Sequence, residues 1–181
     1  KVDNRFVAEG TETPMIPRVG LRMQLSEILN DLTYYGRGPE ENYRDRRTSQ
    51  FIGEYTTPIK DLYEPYIRPQ ENEHRTDIYW CALTTKQKAG LLFIADRTFE
   101  LNASNYLLGS LDSGETIDNG APRTNETNHR HLTDPQPVKQ VDMFIDYRMM
   151  GVGGDNSWGA IAHEPYLIRP GVENAIEYGF S

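Results

Sequence analysis

The sequence predicts an all-β protein that folds as an antiparallel β-sandwich. Apolar and polar residues alternate with a period of two over most segments of the 181-residue chain, as strands with one buried face require. Clusters of Gly, Pro, Asn and Asp separate about ten such segments, which is the pattern of a sandwich with short connections. Helical periodicity is scarce, so helix-covered parallel sheets are disfavoured. The length fits a single domain over residues 1–181.

The clearest strands are predicted at residues 18–25 and 141–147. In the first, Val19, Leu21, Met23 and Leu25 fall on one face and polar residues fall on the other. Shorter strands of the same kind are predicted at residues 6–9, 33–35, 51–56, 76–83, 91–95, 99–103, 166–169 and 175–180.

Two segments, 25–32 and 106–111, have the periodicity of short helices, and neither is long enough to form a layer. Residues 110–137 contain the weakest pattern and several turn signals, which predicts a long surface excursion. Long excursions in compact domains are often functional, so this one is a candidate ligand-facing loop.

Charge and cysteine content exclude several classes of protein. With 19 basic and 27 acidic residues the formal net charge is −8, which is unsuited to binding a phosphate backbone, so no nucleic-acid partner is expected. No window is apolar enough to predict a membrane segment. The single cysteine, Cys81, excludes an internal disulfide and a cysteine-based zinc site, and its neighbours predict a buried position in a strand.

Because the chain begins with Lys1 and no leader pattern, we expect a processed chain or a piece of a longer one.

The first specialised segment, residues 34–46, contains two glycines and a proline among charged and aromatic residues. Adjacent Glu40 and Glu41 suggest acid/base chemistry, but neighbours in an extended chain point to opposite faces and cannot flank one glycosidic bond together. The simpler interpretation is that these acids form structural ion pairs with Arg37 and Arg46.

Two further segments leave alternatives open. Residues 62–72 hold two prolines four apart, which favours a wall or an edge; their tyrosines could serve as interface anchors or fill the core. In the 128–131 segment, His129 and His131 would share one face of a strand and could both reach a metal ion. No third ligand lies nearby in the sequence, so hydrogen-bonded structural histidines are the favoured interpretation.

The most specific segment, residues 149–159, has three glycines in four positions followed by Asp155, Asn156, Ser157 and Trp158. This pattern predicts a turn with close backbone approaches that presents the tryptophan. A loop tryptophan offers an apolar face and one N–H donor, which suits a sugar ring. The alternative is a tryptophan that packs in the core.

Five motifs, taken together and in order, resemble the C-terminal domain of LacZ-type β-galactosidases of glycoside hydrolase family 2, the small-chain or fifth domain. The resemblance extends from about residue 2 to residue 180. The motifs are PRVG at 17–20, YGRGPEENY at 35–43, PYIRPQEN at 65–72, HRH at 129–131 and MGVGGDNSWG at 150–159.

This resemblance implies a β-supersandwich similar to galactose mutarotase, at the C-terminus of a large and commonly homo-oligomeric enzyme. That enzyme hydrolyses terminal non-reducing β-D-galactose residues in β-galactosides such as lactose. Its retaining chemistry uses two glutamates of a TIM barrel, which lies outside this chain. The resemblance therefore implies no catalytic residue here, and Glu40, Glu41 and Glu71 are not assigned that role.

The resemblance also implies site residues. Trp158 corresponds to a tryptophan that forms an apolar platform for the sugar, and the loop that aims it is shaped by Gly153, Gly154, Asp155, Asn156 and Ser157. Magnesium and sodium are implied for the parent enzyme, with magnesium in other domains. A peripheral sodium ion bound by main-chain carbonyls would lie near Arg68, Pro69, Thr124 and Thr127, of which Thr124 matches the family poorly.

The chain departs from the family pattern in two places. The complete family domain begins well upstream of Lys1, so the first strands of the supersandwich are expected to be missing and an edge exposed. Arg44 stands where the family often has proline, which affects loop rigidity more than function.

Two competing functions remain. One is an autonomous carbohydrate-binding module that uses Trp158 and nearby tyrosines. The other is an aldose epimerase, by analogy with the mutarotase-like fold, with His129, His131, His163 and Glu164 as acid/base groups.

Overall fold

The computed structural model describes residues 1–8, 15–67, 69–111, 133, 135–156, 159–171 and 176–181, and it confirms the all-β class. Within these residues, eight strands form one antiparallel sheet. The strands are β1 (Val2–Phe6), β2 (Arg18–Ser26), β3 (Asp31–Gly38), β4 (Phe51–Pro58), β5 (Arg75–Thr84), β6 (Gly90–Ser104), β7 (Gln140–Met149) and β8 (Ile176–Phe180). The remaining elements are the helix α1 (Leu108–Leu111) and the 3₁₀ turns Ile59–Asp61 and Glu164–Tyr166.

The sheet is organised around β6, its longest strand. The strand order is β1-β8-β6-β5-β3-β4, with β7 also paired to β6 and β2 paired to β7. β6 pairs with β5 from Gly90 as far as Leu101; it also pairs with β8 at Ala95, and residues 100–104 also pair with β7. β6 therefore joins the two halves of the described sheet.

One apolar core lies against the inner face of the sheet. It is formed by alternate residues of the central strands and by residues of the Ile59–Asp61 turn, including Leu32, Ile78, Leu101 and Ile145, each at most 1% exposed. Cys81 belongs to this core, as predicted, and its burial raises the pKa of its thiol. Among the described residues, no helix is both long and apolar enough to span a bilayer.

Most predicted strands are confirmed, and the predicted segments 91–95 and 99–103 are two parts of the single strand β6. Three predictions are wrong. The strand at 6–9 is displaced to Val2–Phe6, where the chain pairs with β8. The strand at 166–169 is replaced by the 3₁₀ turn Glu164–Tyr166, in which Pro165 supplies no amide donor.

The predicted helix at 25–32 is the third error. Leu25 and Ser26 continue β2, residues 27–30 make a turn, and Asp31 begins β3. The helix at 106–111 is confirmed as the single turn α1. Most of the predicted excursion at 110–137, including His129 and His131, lies outside the described residues.

Candidate functional site

The glycine-rich loop leaves β7 at its last residue and is held at its start by backbone hydrogen bonds. The amide of Met150 donates to the carbonyl of Pro17 at 2.9 Å, and the amide of Gly151 donates to the carbonyl of Tyr166 at 2.8 Å. These two bonds fix the direction in which the loop departs from the sheet.

Asp45, in the turn after the YGRGPEENY motif, binds the next two residues of the loop. Its Oδ1 accepts a hydrogen bond from the amide of Val152 at 3.2 Å, and its Oδ2 accepts one from the amide of Gly153 at 2.7 Å. A Cβ at Gly151 would lie 2.7 Å from Cγ of Asp45, so only glycine allows this approach. The structure thus brings together two segments that the sequence marked as specialised.

The far side of the loop is held by a second set of contacts. A Cβ at Gly154 would lie 2.0 Å from the carbonyl oxygen of Ala160, so two backbone segments meet there without room for a side chain. Asp155 Oδ1 lies 2.7 Å from Nε2 of His163. Gly159 adopts a φ of +94°, a left-handed conformation that glycine accommodates without strain.

The candidate ligand residue itself, Trp158, lies outside the described residues, as does Ser157. The residues on either side are described: 152–156 and 159–160 are all exposed. The loop-shaping residues Gly153, Gly154, Asp155 and Asn156 therefore lie at the surface, and the chain reaches and leaves Trp158 through exposed positions.

One of the predicted structural ion pairs, between Glu41 and Arg46, is confirmed. Glu41 binds the guanidinium of Arg46 and the hydroxyl of Tyr66, and its Oε2 accepts a hydrogen bond from the amide of Glu73 at 2.8 Å. Arg37 departs from the prediction, because it pairs with Asp77 at 2.7 Å rather than with either glutamate.

The proline-containing segment 62–72 is confirmed as a wall. Tyr63 stacks on Tyr106, with ring centroids 4.0 Å apart, and Asn72 and Glu71 both contact Asn102 of β6. Leu62 at the start of the segment belongs to the apolar core, and Glu71 and Asn72 at its end lie over the polar side of β6.

Beneath this wall lies a buried polar network that the sequence did not reveal. Its centre is His74, which is fully buried; Nδ1 lies 2.8 Å from Oδ1 of Asn102, and Nε2 lies 3.1 Å from Oε2 of Glu100. Arg18 donates to Asn102 at 2.7 Å and to Asp146 at 3.0 Å. Polar residues alternate with apolar ones in β6 and β7, as they do in a strand with one solvent-facing side. Alternation alone does not show whether another segment of the chain covers that polar side.

Burial and charge oppose each other in this network. Burial alone would lower the pKa of His74, but the hydrogen bond to Glu100 and its negative charge outweigh that effect and raise the pKa. Burial raises the pKa of Asp146 to about 6, against the opposing charge of Arg18. Burial likewise raises the pKa of Glu73 to about 8. His74 and Asp146 are buried and are joined through Asn102 and Arg18, so the network holds distant segments of the chain together.

The network is connected to the glycine-rich loop. Oε2 of Glu100 accepts a hydrogen bond from the amide of Met149 at 2.6 Å, one residue before Met150. The buried histidine, its glutamate and the base of the loop therefore form one continuous hydrogen-bonded chain.

Other predicted site residues are less informative. His163 and Glu164 lie in exposed pairs with Asp155 and Arg169, and the hydrogen bond from Arg169 lowers the pKa of Glu164. Arg68 is outside the described residues, whereas Pro69 is described and buried. Among the residues described, no group of three or more His, Cys, Asp or Glu side chains is placed to hold a metal ion.

Comparison with known proteins identifies the family. The family model described as "Beta galactosidase small chain" matches residues 1–181. A β-galactosidase of Priestia megaterium is 33% identical over 162 residues, covering 90% of this chain and 14% of the relative. β-Galactosidases of Vibrio cholerae and Leuconostoc mesenteroides are 32% and 31% identical, covering 87% and 93% of this chain and 13% and 14% of their own lengths. The chain thus spans about one seventh of the curated relatives that it matches, and it belongs to the β-galactosidase small-chain family.

Proposed function

We propose that this chain is the C-terminal domain of a larger LacZ-type β-galactosidase of glycoside hydrolase family 2. The parent enzyme hydrolyses terminal non-reducing β-D-galactose residues in β-galactosides such as lactose. The family match over residues 1–181 supports this proposal, and so does the small fraction of each relative that the chain spans. In this proposal residues 1–181 act as one domain, and the remaining domains, including a TIM barrel, are its partners.

The domain contributes the loop that carries Trp158 to the sugar site. The observation that carries this proposal is the hydrogen bonding of Val152 and Gly153 to Asp45, which fixes an exposed loop only five residues before Trp158. A loop held in place before the ligand arrives loses less conformational entropy on binding. Trp158 then supplies the apolar face against which the galactoside, and chiefly its aglycone, packs.

The reaction itself belongs to the rest of the parent enzyme. Glu41 and Glu71 are engaged in contacts within the fold, and Glu71 accepts from Asn102 at 2.9 Å. In this proposal the two glutamates of the retaining mechanism lie in the barrel, and the isolated chain is inactive. Magnesium is bound by the other domains and supports catalysis there; a sodium ion would be held by the carbonyls of Arg68 and Pro69. The parent assembles as a homo-oligomer.

A chimeric enzyme tests the proposal. In the β-galactosidase of Priestia megaterium, the 162-residue region that matches this chain is replaced by the chain itself. The chimera is expected to hydrolyse lactose, and Trp158→Ala is expected to raise its KM about fivefold, since one aromatic platform contributes roughly 1 kcal/mol. Trp80→Phe, a change in β5, is the matched control and should leave KM unchanged. Equal KM values for both variants would overturn the role of Trp158.

The isolated chain distinguishes the carbohydrate-binding module from the enzyme domain. Its tryptophan fluorescence is titrated with galactose and with lactose, and the titration is repeated with Trp158→Ala. The proposed function predicts no saturable response from the folded chain alone. Saturable binding that disappears in the variant would favour an autonomous module instead.

A further inference from the structure

A cavity of about 220 Å³ lies beside Tyr147 and Arg148 of β7, close to the base of the glycine-rich loop. It is lined by four arginines from three different parts of the chain, by two carboxylates and by Tyr147 of β7. The four arginines are Arg44, Arg47, Arg97 and Arg148. Such a concentration of guanidinium groups is unexpected in a chain whose formal net charge is −8.

The two carboxylates of the cavity are already shared with other partners. Asp77 binds Arg47 at 2.9 Å and also binds Arg37 at 2.7 Å. Oε2 of Glu100 accepts from Met149 and lies next to His74. The lining thus holds four guanidinium groups and two carboxylates, and each carboxylate also bonds to a group outside the lining.

Arg44 carries a hydrogen-bond donor that no group in the described part of the chain accepts. Burial lowers the pKa of its guanidinium, and the positive charge of Arg148 lowers it further. Its Nε lies 4.0 Å from Oε1 of Glu100, and its Nη1 is buried without a hydrogen-bond partner among the described residues. A buried donor with an unmade hydrogen bond costs free energy that a bound anion would recover.

Tyr147 holds two other arginines over one ring. The guanidinium carbon of Arg148 lies 5.1 Å from the ring centroid, and that of Arg97 lies 5.7 Å from it. Both distances are within the range of a cation–π interaction, which limits the freedom of the two side chains. The cavity therefore presents guanidinium donors whose positions are partly fixed before any ligand binds.

We propose that this cavity is a binding site for a small phosphate-type anion. Guanidinium groups match the oxygens of a phosphate in pairs, and the buried Nη1 of Arg44 offers an unused donor for such an oxygen. The cavity has room for more than the phosphate group alone, so the anion is either free phosphate or a phosphate monoester of a small molecule. The site is separate from the role of Trp158, and it does not depend on the proposed function.

The test is a titration of the folded full chain, followed by amide and arginine side-chain NMR at constant ionic strength and pH 8. The probes are inorganic phosphate, glucose 6-phosphate, neutral glucose and chloride. Saturable shifts at Arg44 and Tyr147 are expected with phosphate and absent with glucose and chloride. Tighter binding of glucose 6-phosphate than of phosphate would assign the site to a monoester, and equal binding would assign it to free phosphate.

Variants test the site independently of folding. Arg44→Gln is expected to weaken phosphate binding about tenfold, the effect of losing one charge-assisted hydrogen bond. Arg97 is exposed, so Arg97→Gln tests the same cavity without disturbing buried structure. Arg5→Gln is the control, because Arg5 is exposed and pairs with Glu177 outside the cavity. The proposal is overturned by the absence of saturable shifts, or by equal affinities in Arg97→Gln and Arg5→Gln.

Discussion

The carboxylate of Asp45 lies 2.7 Å from the amide nitrogen of Gly153, which is 108 residues further along the chain. This hydrogen bond joins the turn after the YGRGPEENY motif to the glycine-rich loop that carries Trp158. The two motifs therefore act as one structural unit, in which the first sets the position of the second.

Asp45→Ala is expected to release the loop. The amides of Val152 and Gly153 lose their acceptor, but both lie at the surface and can bond to water. The free energy of unfolding should therefore fall by only about 1 kcal/mol, while hydrogen exchange of these two amides becomes faster. Asp61→Ala, which removes an exposed carboxylate paired with Lys60, is the control and should leave both exchange rates unchanged.

Gly154→Ala is expected to disrupt the far side of the loop. The added methyl group would meet the backbone oxygen of Ala160, which no side-chain rotation can move away. We expect a loss of about 1–3 kcal/mol in urea denaturation. Gly109→Ala is the matched control, because nothing lies within 4 Å of its Cβ position and Gly109 lies in α1, where alanine is favoured. Equal stability of the two variants would contradict the close approach at Gly154.

Glu73 is expected to make the fold less stable at higher pH. Burial raises its pKa from 4.5 to about 8, so the folded protein binds this proton more tightly than the unfolded chain does. Its contribution to stability is complete below pH 4.5 and is lost as the pH rises to about 8. The loss is a few kcal/mol at most, since one pKa unit is about 1.4 kcal/mol.

Glu73→Gln isolates this contribution. His74 and Asp146 also have raised pKa values and change stability in the same direction, so the wild-type dependence has several sources. The glutamine variant keeps the shape of the side chain without the titrating proton. Urea midpoints measured from pH 5 to pH 8 should therefore fall less steeply in the variant. Parallel curves would show that Glu73 does not ionise in this range.

His74→Ala is expected to destabilise the fold strongly. It leaves a cavity and removes a hydrogen-bond partner from both Glu100 and Asn102, which are themselves buried. The expected loss is about 2–4 kcal/mol by urea denaturation. His163→Ala provides the contrast: its side chain is exposed, so the change should stay within about 0.5 kcal/mol. Similar small losses in both variants would refute the structural role of the network.

Much of the fold could be predicted because strand alternation is a local property. The pattern at Val19, Leu21 and Met23 depends only on the pleat of one strand, and β2 extends over that segment. The helix predicted at 25–32 failed because its apolar spacing also fits the end of one strand followed by a turn and the start of the next. Only tertiary pairing, such as that of Leu25 with Val141, decides between the two.

The site was less predictable for a related reason. The glycine-rich loop could be recognised from its composition, but its contact with Asp45 joins residues 107 and 108 positions apart. The network of His74, Glu100 and Asn102 requires the segment 62–72 to fold over β6, which no local pattern specifies. Single-sequence patterns therefore located the loop and missed the residues that hold it.

The central position of β6 separates local from global unfolding. Around Leu101 this strand is bonded to β5 on one side and to β7 on the other, so the amides there are expected to exchange only when the whole sheet opens and to report the full stability of the domain. The loop at 152–156 is exposed, is bonded to Asp45 through two surface amides and can open alone. The glycines at 151 and 154 have no room for a side chain, but substitutions at an exposed position such as Val152 can change what the loop presents to a ligand at little cost to folding.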